Sequence, residues 1–161
     1  GRDDDGHELA PHASTNSTVT KASSITPGTT AFITNSVGAD DWTTGDVDSD
    51  GSLRSAAWGD GGVNDICPIG FRVPTTSELV NETTGATISD SATAFSNFLK
   101  LPVAGNRNSG GGQTTSVGSS GYVWSTTASG ADASAVAIHS NQAYSYTYDR
   151  SNGYSVRCIR D

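Results

Sequence analysis

The sequence lacks several residue types and patterns, and each absence narrows the class of protein. It has no methionine and no apolar run approaching the ~20 residues of a membrane-spanning helix. We therefore expect no membrane span, and a chain that was processed or cut from a longer one. Lys and Arg number 9 against 17 Asp and Glu, which gives a net charge of −8. Nucleic acid is not expected as a partner, because phosphate binding needs clustered cations.

Signatures of common catalysts are also missing. The sequence has no G-x-S-x-G, no HExxH and no P-loop, and two of its three histidines lie in the first twelve residues. The three glycines at 110–112 lack a following Lys-Ser/Thr and indicate a flexible loop. We therefore expect a protein that is not an enzyme and that needs no cofactor.

The length and composition favour one small domain with little helix. The chain has 161 residues, of which 34% are hydrophobic and 16% charged. Most of the remainder is Gly, Ser, Thr, Asn and Asp, which favours an all-β or loop-rich fold over a helical one. A chain of this length suits a single domain with a modest core.

Two cysteines, Cys67 and Cys158, are the only sulfur-bearing residues. In an oxidising compartment they would form one bridge that closes a long loop. In a reducing compartment they would be two buried free thiols. A zinc site is not expected, because only two sulfurs are present and they lie far apart.

The N-terminal segment, residues 1–37, differs from the rest of the chain. Its first eleven residues are polar and acidic, and residues 12–37 are rich in Ser and Thr with a single charge, Lys21. Strand propensity is present at 18–22 and 30–34, with a turn at Pro27-Gly28 between them. This segment is too polar to build a core alone, so it must lie along a sheet, be disordered, or pair with another molecule.

Residues 38–65 form a predicted loop region that contains the opening half of a calcium loop. Three aspartates occupy positions 1, 3 and 5 of that pattern: Asp46, Asp48 and Asp50. Gly51 supplies the turn at position 6, but position 12 is Ala57, which has no carboxylate. Asp60 or Asp65 would have to substitute for it. The alternatives are therefore a weak calcium site and a solvated acidic turn.

Two short helices are predicted in the next part of the chain. Thr75 and Glu78 form a capping box, which predicts a helix from residue 76 to about 82. A second helix is predicted over residues 91–99, and its N-cap candidates are Ser89 and Asp90. Its apolar face is predicted to consist of Phe95, Phe98 and Leu99.

The C-terminal part of the chain predicts a β-meander. Strands are predicted at 133–139, 143–149 and 154–160, with turns at 140–142 and 150–153. Further short strands are predicted at 101–104 and 122–125, separated by a Gly/Ser/Thr loop. Because side chains alternate along a strand, Tyr144, Tyr146 and Tyr148 share one face and suggest a contact surface. Two helices against an antiparallel meander give an α+β domain.

Four segments together carry a resemblance to a known family. CPIGFRVPTTSEL, FLKLPVAGNRN, GYVWSTT and GYSVRCIRD, in this order, resemble the Fibrobacter succinogenes major paralogous domain. That family is regarded as having a C-type-lectin-like fold and occurs in secreted and surface proteins. The likeness covers residues 41–161 and extends to the variable proteins of diversity-generating retroelements. The resemblance thus implies a C-type-lectin-like domain over residues 38–161, with residues 1–37 as an extended segment outside it.

The resemblance also implies roles for particular residues. It implies that Cys67 pairs with Cys158, and that Trp124 and Arg157 sit in the core or at its rim. The positions that match the displayed, ligand-binding residues of the variable proteins are Asn106, Arg107, Asn108, Tyr122, Tyr144, Tyr146, Tyr148, Arg150 and Asn152. The Glu-Pro-Asn, Gln-Pro-Asp and Trp-Asn-Asp tripeptides of sugar-binding C-type lectins do not occur here, so calcium-dependent sugar binding of that kind is not expected.

Two functions follow as hypotheses. The first is an extracellular or cell-surface protein whose C-type-lectin-like face binds a glycan or protein ligand in adhesion or recognition. The second is a structural subunit of an extracellular filament, in which residues 1–37 of one copy add a strand to the sheet of the next. The tyrosine-bearing face favours the first hypothesis, and the polar, strand-forming N-terminal segment favours the second.

Overall fold

The computed structural model describes residues 17–26, 29–34, 41–45 and 47–161. Within these ranges the chain has an α+β fold, as predicted, with short helices and mostly short strands. The helices are α1 (Ser52–Trp58), α2 (Thr76–Glu82) and α3 (Ser91–Ser96). The strands are β1 (Ser17–Thr18), β2 (Phe32–Ile33), β3 (Phe71–Arg72), β4 (Asn106–Arg107), β5 (Thr114–Thr115), β6 (Ser120–Ser129), β7 (Asp132–His139), β8 (Ala143–Asp149) and β9 (Ile159–Arg160).

The largest sheet is an antiparallel meander in the order β6, β7, β8. A tight turn joins β7 to β8, closed by the N–H of His139, which donates to the carbonyl of Gln142 at 2.7 Å. The predicted strands at 133–139 and 143–149 are confirmed, and the short strand predicted at 122–125 is the middle of a longer strand, β6. The prediction of a third meander strand at 154–160 is wrong, because β6 occupies that role.

The segment after β8 runs beside β6, on the opposite side of the sheet from β8. Arg107 and Gly153 exchange two backbone hydrogen bonds of 2.8 Å, which direct the chain away from β8. The N–H of Trp124 then donates to Ser155 at 2.9 Å, and the N–H of Ser155 donates to Tyr122 at 3.1 Å. The chain ends in β9, which pairs antiparallel with β3. The outer edge of β6 is therefore covered by its own chain.

One face of the meander carries the main core. The buried cluster consists of Leu79, Ile88, Ala94, Leu101, Val123, Val136 and Ile138. It joins α2 and α3 to the inward-facing residues of β6 and β7, which alternate with period 2. Leu101 lies in this core, but the strand predicted at 101–104 is wrong. The N–H of Leu101 donates to Ala94 at the end of α3, at 3.1 Å.

The connection between α3 and β6 is more ordered than the sequence indicated. Residues 106–120 were predicted to be a Gly/Ser/Thr loop, whereas β4 and β5 pair there as a small antiparallel hairpin. The N–H of Gly105 donates to Ser120 at 2.8 Å and fixes the hairpin beside the start of β6. The hairpin thereby lies next to the segment that follows β8.

The two predicted helices are present, with one correction. α2 covers residues 76–82 as predicted, and both hydrogen bonds of the Thr75–Glu78 capping box are formed. α3 begins after its N-cap Asp90 but ends at residue 96, because the side-chain oxygen of Asn97 accepts from the N–H of Leu99. The predicted apolar face is therefore wrong in part: Phe95 and Phe98 are 65% and 72% exposed.

Helix α1 lies within residues 38–65, where the sequence predicts a loop, so that prediction is wrong for Ser52–Trp58. It begins after Gly51, whose φ of 76° lies in the left-handed region that glycine adopts readily. A Cβ atom at this position would overlap Ala128 and the guanidinium of Arg150. This close approach of the backbone at position 51 therefore requires glycine. The hydroxyl of Ser55 also donates to Thr126 of β6 at 3.0 Å, which fixes α1 to the sheet.

The described part of the N-terminal segment packs on its own domain. β1 and β2 pair in parallel, and Phe32 and Ile33 are buried. The guanidinium of Arg107 lies 4.3 Å from the centre of the Phe32 ring, and a Cβ atom at Gly153 would come within 3.1 Å of the same ring. The predicted strands at 18–22 and 30–34 are thus shorter than expected. The predicted turn at Pro27-Gly28 and residues 1–16 lie outside the described residues.

A disulfide joins Cys67 to Cys158, as the resemblance implied, with the two Cα atoms 5.9 Å apart. It lies beside the β3–β9 pair and ties the segment before α2 to the C-terminal strand. Arg157, expected at the core or its rim, is exposed, whereas Trp124 is half-buried. Among the described residues, no helix combines the length and the apolar character needed to cross a membrane.

We predict that loss of this disulfide lowers the free energy of unfolding by about 4 kcal/mol, because the cross-link closes a long loop in the unfolded chain. Urea unfolding with and without reductant measures the change. The double variant Cys67→Ser with Cys158→Ser is the matched control, and reductant should not alter its stability. Equal stability of the wild type in both conditions would contradict the prediction.

Candidate ligand-binding face

The second face of the meander is built from aromatic rings over a row of alanines. Ala133, Ala135 and Ala137 lie on this face of β7, and the last two are fully buried. The pairing register places Tyr122 and Tyr144 on either side of Ala137. Because the alanine side chains of β7 are small, they leave space above the central strand, and rings from β6 and β8 can close over it.

The rings on this face contact one another in a continuous layer. Tyr154 stacks on Trp124 with ring centres 4.3 Å apart, and on Tyr122 with ring centres 4.6 Å apart. Tyr148 meets Tyr122 and Tyr154 edge to face, at 5.9 and 5.4 Å. Such offset and edge-on contacts are favourable geometries for aromatic pairs. Tyr122 and Tyr148 were predicted as displayed residues, but both are only partly accessible because they support this layer.

Tyr146 and Tyr144 are the accessible rings of the face, at 63% and 37% exposure. Tyr146 contacts Tyr148 edge to face at 5.6 Å. The hydroxyl of Tyr144 lies 3.4 Å from Nε2 of His139, whose Nδ1 lies 2.9 Å from the hydroxyl of Ser120. The predicted common face of Tyr144, Tyr146 and Tyr148 is therefore present, with Tyr148 as its inner member.

The inner tyrosines stay neutral over the physiological pH range. Burial raises the pKa of Tyr154 above its usual range, and the neighbouring Tyr148 adds to the effect. Burial likewise raises the pKa of Tyr148. Their hydroxyls therefore act as neutral hydrogen-bonding groups, not as charges.

The predicted asparagine positions gather beside this face and stabilise its loops. Asn152 accepts a hydrogen bond from the N–H of Ser109 at 3.0 Å, and Ser109 donates to the carboxylate of Asp149 at the end of β8. Asn106 accepts from Thr115 at 3.0 Å, and Asn108 accepts from Gly110 at 2.8 Å. These side-chain oxygens are therefore occupied within the loops.

Arg107 is also held within its own domain. Its Nε donates to the carbonyl of Gly112 at 2.9 Å, in addition to its contact with Phe32. Of the positions that the resemblance implied, the structure leaves Tyr144 and Tyr146 as the most accessible large side chains.

Arg150 is placed differently from the prediction, because its side chain is buried rather than displayed. It donates to the carbonyls of Asp48 at 2.8 Å, Asp132 at 3.0 Å and Gly130. It also lies 3.3 Å from the carboxylate of Asp41. Arg150 therefore ties the loop before α1 to the β6–β7 turn and cannot contact a ligand directly.

Arg54 completes a buried ion cluster with Arg150, Asp41 and Asp48. Its guanidinium forms a two-pronged pair with the carboxylate of Asp41, and its Nε donates to Asp48 at 2.7 Å. The side chain of Asp48 has no exposed surface. Two positive and two negative groups balance one another, which a buried charge requires.

The predicted calcium residues have other partners in the structure. The carboxylate of Asp48 accepts hydrogen bonds from the N–H groups of Leu53 and Arg54, at 2.9 and 3.1 Å, besides its ion pair. Asp50 accepts from the N–H of Ser52 at 3.0 Å. Both aspartates thereby cap α1, and Asp46 lies outside the described residues. Within the part of the chain that the structure describes, no three acidic, His or Cys side chains converge as a metal site.

The ion cluster shifts the acidity of both carboxylates. Burial alone raises the pKa of Asp48, but its hydrogen bonds from Arg54 and from the backbone outweigh this and lower the pKa below its usual value. Burial also raises the pKa of Asp41, but the two-pronged pair with Arg54 outweighs this effect, so the pKa of Asp41 is lowered as well. Both groups therefore stay charged in the folded protein to lower pH than in the unfolded chain.

No local pattern in the sequence indicates that Arg54 pairs with Asp41. They are 13 positions apart, and α1, which presents Arg54, was not predicted. The one usable signal was the pair of aspartates before residues 52–58, since negatively charged side chains are favoured near a helix N-terminus.

Comparison with protein families assigns the chain to one family. A family model described as a domain of unknown function, DUF8237, matches residues 68–159. The match covers more than half of the chain, so the chain belongs to this family. Neither the curated proteins nor the solved structures yield a significant match to this sequence.

We predict that Asp48→Asn destabilises the protein by about 3–5 kcal/mol at neutral pH, because it leaves a buried arginine short of a partner. The folded-state pKa of Asp48 is lowered, so its contribution is present above about pH 4 and is lost as the pH falls through that lowered value. The stability difference between wild type and variant should therefore shrink in acid. Urea unfolding over a pH series measures it, with the exposed Asp60→Asn as control. A difference that stays constant down to about pH 2 would contradict the mechanism.

We further predict that calcium does not stabilise the folded protein. Asp48 is already engaged by Arg54 and by backbone N–H groups, so a cation would have to break these bonds. Thermal unfolding with added calcium and with EDTA should give the same Tm. A Tm that rises with calcium and falls again with EDTA would show that the loop is a metal site after all.

Proposed function

We propose that this member of the DUF8237 family is a non-enzymatic extracellular or cell-surface module that binds a glycan or protein ligand through Tyr144 and Tyr146. The observation that carries the proposal is the exposure of these two rings on a sheet face that lies opposite the core. Two tyrosines in such a place add nothing to the core, yet each offers a flat apolar surface and a hydroxyl.

The layer beneath these rings supports the proposal. Tyr146 rests against Tyr148, which is wedged against Tyr122 and Tyr154. A ring that is already held in place loses little conformational entropy when a ligand binds. Tyrosine next to Ser, Gly and Asn is also the mixture that antibody-like binding surfaces use.

The neighbouring loops would form the rim of the site. Asp149, at the end of β8, connects the tyrosine strand to the loop of Ser109 and Asn152. These residues hold one another through hydrogen bonds, so their loops are positioned before a ligand arrives. We infer that they set the shape of the site, whereas Tyr144 and Tyr146 make its main contacts.

The proposed C-type-lectin-like fold and location rest on separate observations. Three features agree with the fold that the resemblance implies. They are a disulfide near the two ends of the family domain, the β3–β9 pair, and two helices on one face of the sheet. The disulfide also favours an oxidising compartment, because intracellular thiols are kept reduced in most organisms.

The non-enzymatic character is proposed from the surroundings of His139. Its Nδ1 contacts the hydroxyl of Ser120, but Ser120, the first residue of β6, is buried. Among the described residues no carboxylate contacts His139, so this pair lacks the acid that orients the histidine of a serine hydrolase.

We predict that Tyr144→Ala combined with Tyr146→Ala weakens ligand capture by about thirtyfold or more, since truncating aromatic anchors at an interface centre costs about 2 kcal/mol or more. Capture is measured on a glycan array and on an array of purified surface proteins. The Tm should change little, because both rings are on the outside of the layer.

Two variants serve as controls for this experiment. Tyr144→Phe with Tyr146→Phe keeps the ring surfaces and should retain most of the binding. Tyr154→Ala removes a supporting ring and should lower the Tm. Full binding by the double alanine variant, or its unfolding, would contradict the proposed role of these rings.

A further inference from the structure

The free edge of β8 has a regular pattern of backbone groups. The hydrogen bond between His139 and Gln142 starts the β7–β8 ladder, and hydrogen-bonded pairs recur at every second residue. The register then directs the backbone groups of Tyr144, Tyr146 and Tyr148 towards β7. The N–H and C=O groups of the alternate residues, Ala143, Ser145 and Thr147, point outwards. In the described part of the chain, the backbone groups of these three residues form no hydrogen bond with any segment other than β7.

This edge also lacks the features that keep edge strands apart. Natural sheets protect their edges with proline, lysine, bulges or very short strands. β8 has 7 residues, no proline and no basic residue, and its register with β7 is unbroken. It carries no charge before Asp149. The opposite edge of the meander, at β6, is covered by Ser155.

We propose that β8 pairs antiparallel with β8 of a second copy of this chain, about a twofold axis at Ser145. Under this axis Ser145 faces its own counterpart, and Ala143 faces Thr147 of the second copy. All the outward-pointing groups then find partners, with about two hydrogen bonds for each facing pair. The pattern is thus self-complementary, which is the requirement for an isologous contact.

The side chains fit the same axis. Tyr144 of one copy would lie opposite Tyr146 of the other, in a pair whose Cα atoms approach closely because it is not hydrogen-bonded. Aromatic cross-strand pairs of this kind stabilise sheets. A second copy is the occupant that these observations favour, because it matches both the hydrogen bonds and the tyrosines.

The size and charge of the contact set its strength. Two seven-residue strands and four tyrosine rings bury less than the roughly 1,200 Å² of a standard interface, so we expect a weak, concentration-dependent dimer. The chains also repel each other through their net charge of −8, although β8 itself is neutral from Ala143 to Tyr148. Added salt should therefore strengthen the dimer by screening this repulsion.

A charge exchange at Ser145 tests the pairing and its register together. Ser145 is exposed, so Ser145→Lys and Ser145→Glu should both fold. Each variant alone should dimerise at least tenfold more weakly than the wild type, because like charges meet at the axis. An equimolar mixture of the two should form a heterodimer. Sedimentation velocity of the full chain over a concentration series measures all three samples.

Proline at the same position supplies an independent test. The N–H of Ser145 points outwards, so Ser145→Pro removes a donor to the second copy while leaving the β7 ladder intact. Ser145→Pro should dimerise at least tenfold more weakly, and Ser145→Ala should dimerise like the wild type. Circular dichroism checks that both variants remain folded.

Three results would overturn the proposal. One is a wild type that stays monomeric at every concentration and salt level. Another is a Lys–Glu mixture that associates no better than either variant alone. The third is association that neither Ser145→Lys nor Ser145→Pro weakens, which would place the contact elsewhere, for example at the N-terminal segment.

Discussion

The fold depends on a constraint in β7, which must be covered on both faces. Val136 and Ile138 fill the core on one side, where α2 and α3 pack. Ala135 and Ala137 leave room on the other side for rings from β6 and β8 to close over the strand. A larger residue at Ala135 would lift the rings that pack beside it, and the exposed part of the face would move with them. The smallest side chains in the sheet thus determine where its largest ones lie.

The buried ion cluster fixes position more than it adds stability. Buried pairs can be replaced by apolar residues at little cost, since desolvation offsets their attraction. Here the arginines also donate to main-chain carbonyls: Arg150 to Asp132, and both Arg54 and Arg150 to Asp48. These bonds specify how the loop before α1 meets the β6–β7 turn. The acidic stretch that suggests a calcium loop thus docks α1, because Asp48 accepts hydrogen bonds from the first turn of the helix and pairs with Arg54.

Sequence patterns predicted the local elements better than their arrangement. α2 and β8 were predicted with their observed bounds, because a capping box and a strict alternation are local signals. The order of the strands was not, because pairing of the last segment with β6 depends on the distant contact between Arg107 and Gly153. The tyrosine face was predicted from period 2 alone. The burial of Arg150 was not, since its partners come from three separate parts of the chain.

The proposed ligand site and the proposed pairing with a second copy use groups of β8 that point in perpendicular directions. Side chains of a strand stand perpendicular to its sheet, whereas its hydrogen bonds lie in the plane. A ligand on the outer surfaces of Tyr144 and Tyr146 would therefore leave the backbone hydrogen bonds at Ser145 available to a second copy, although the edges of the same rings meet at the contact. Pairing would instead join two tyrosine rows into one face across the twofold axis. A ligand with repeating units could then engage both copies at once, and its affinity would rise through effective concentration without any new contact.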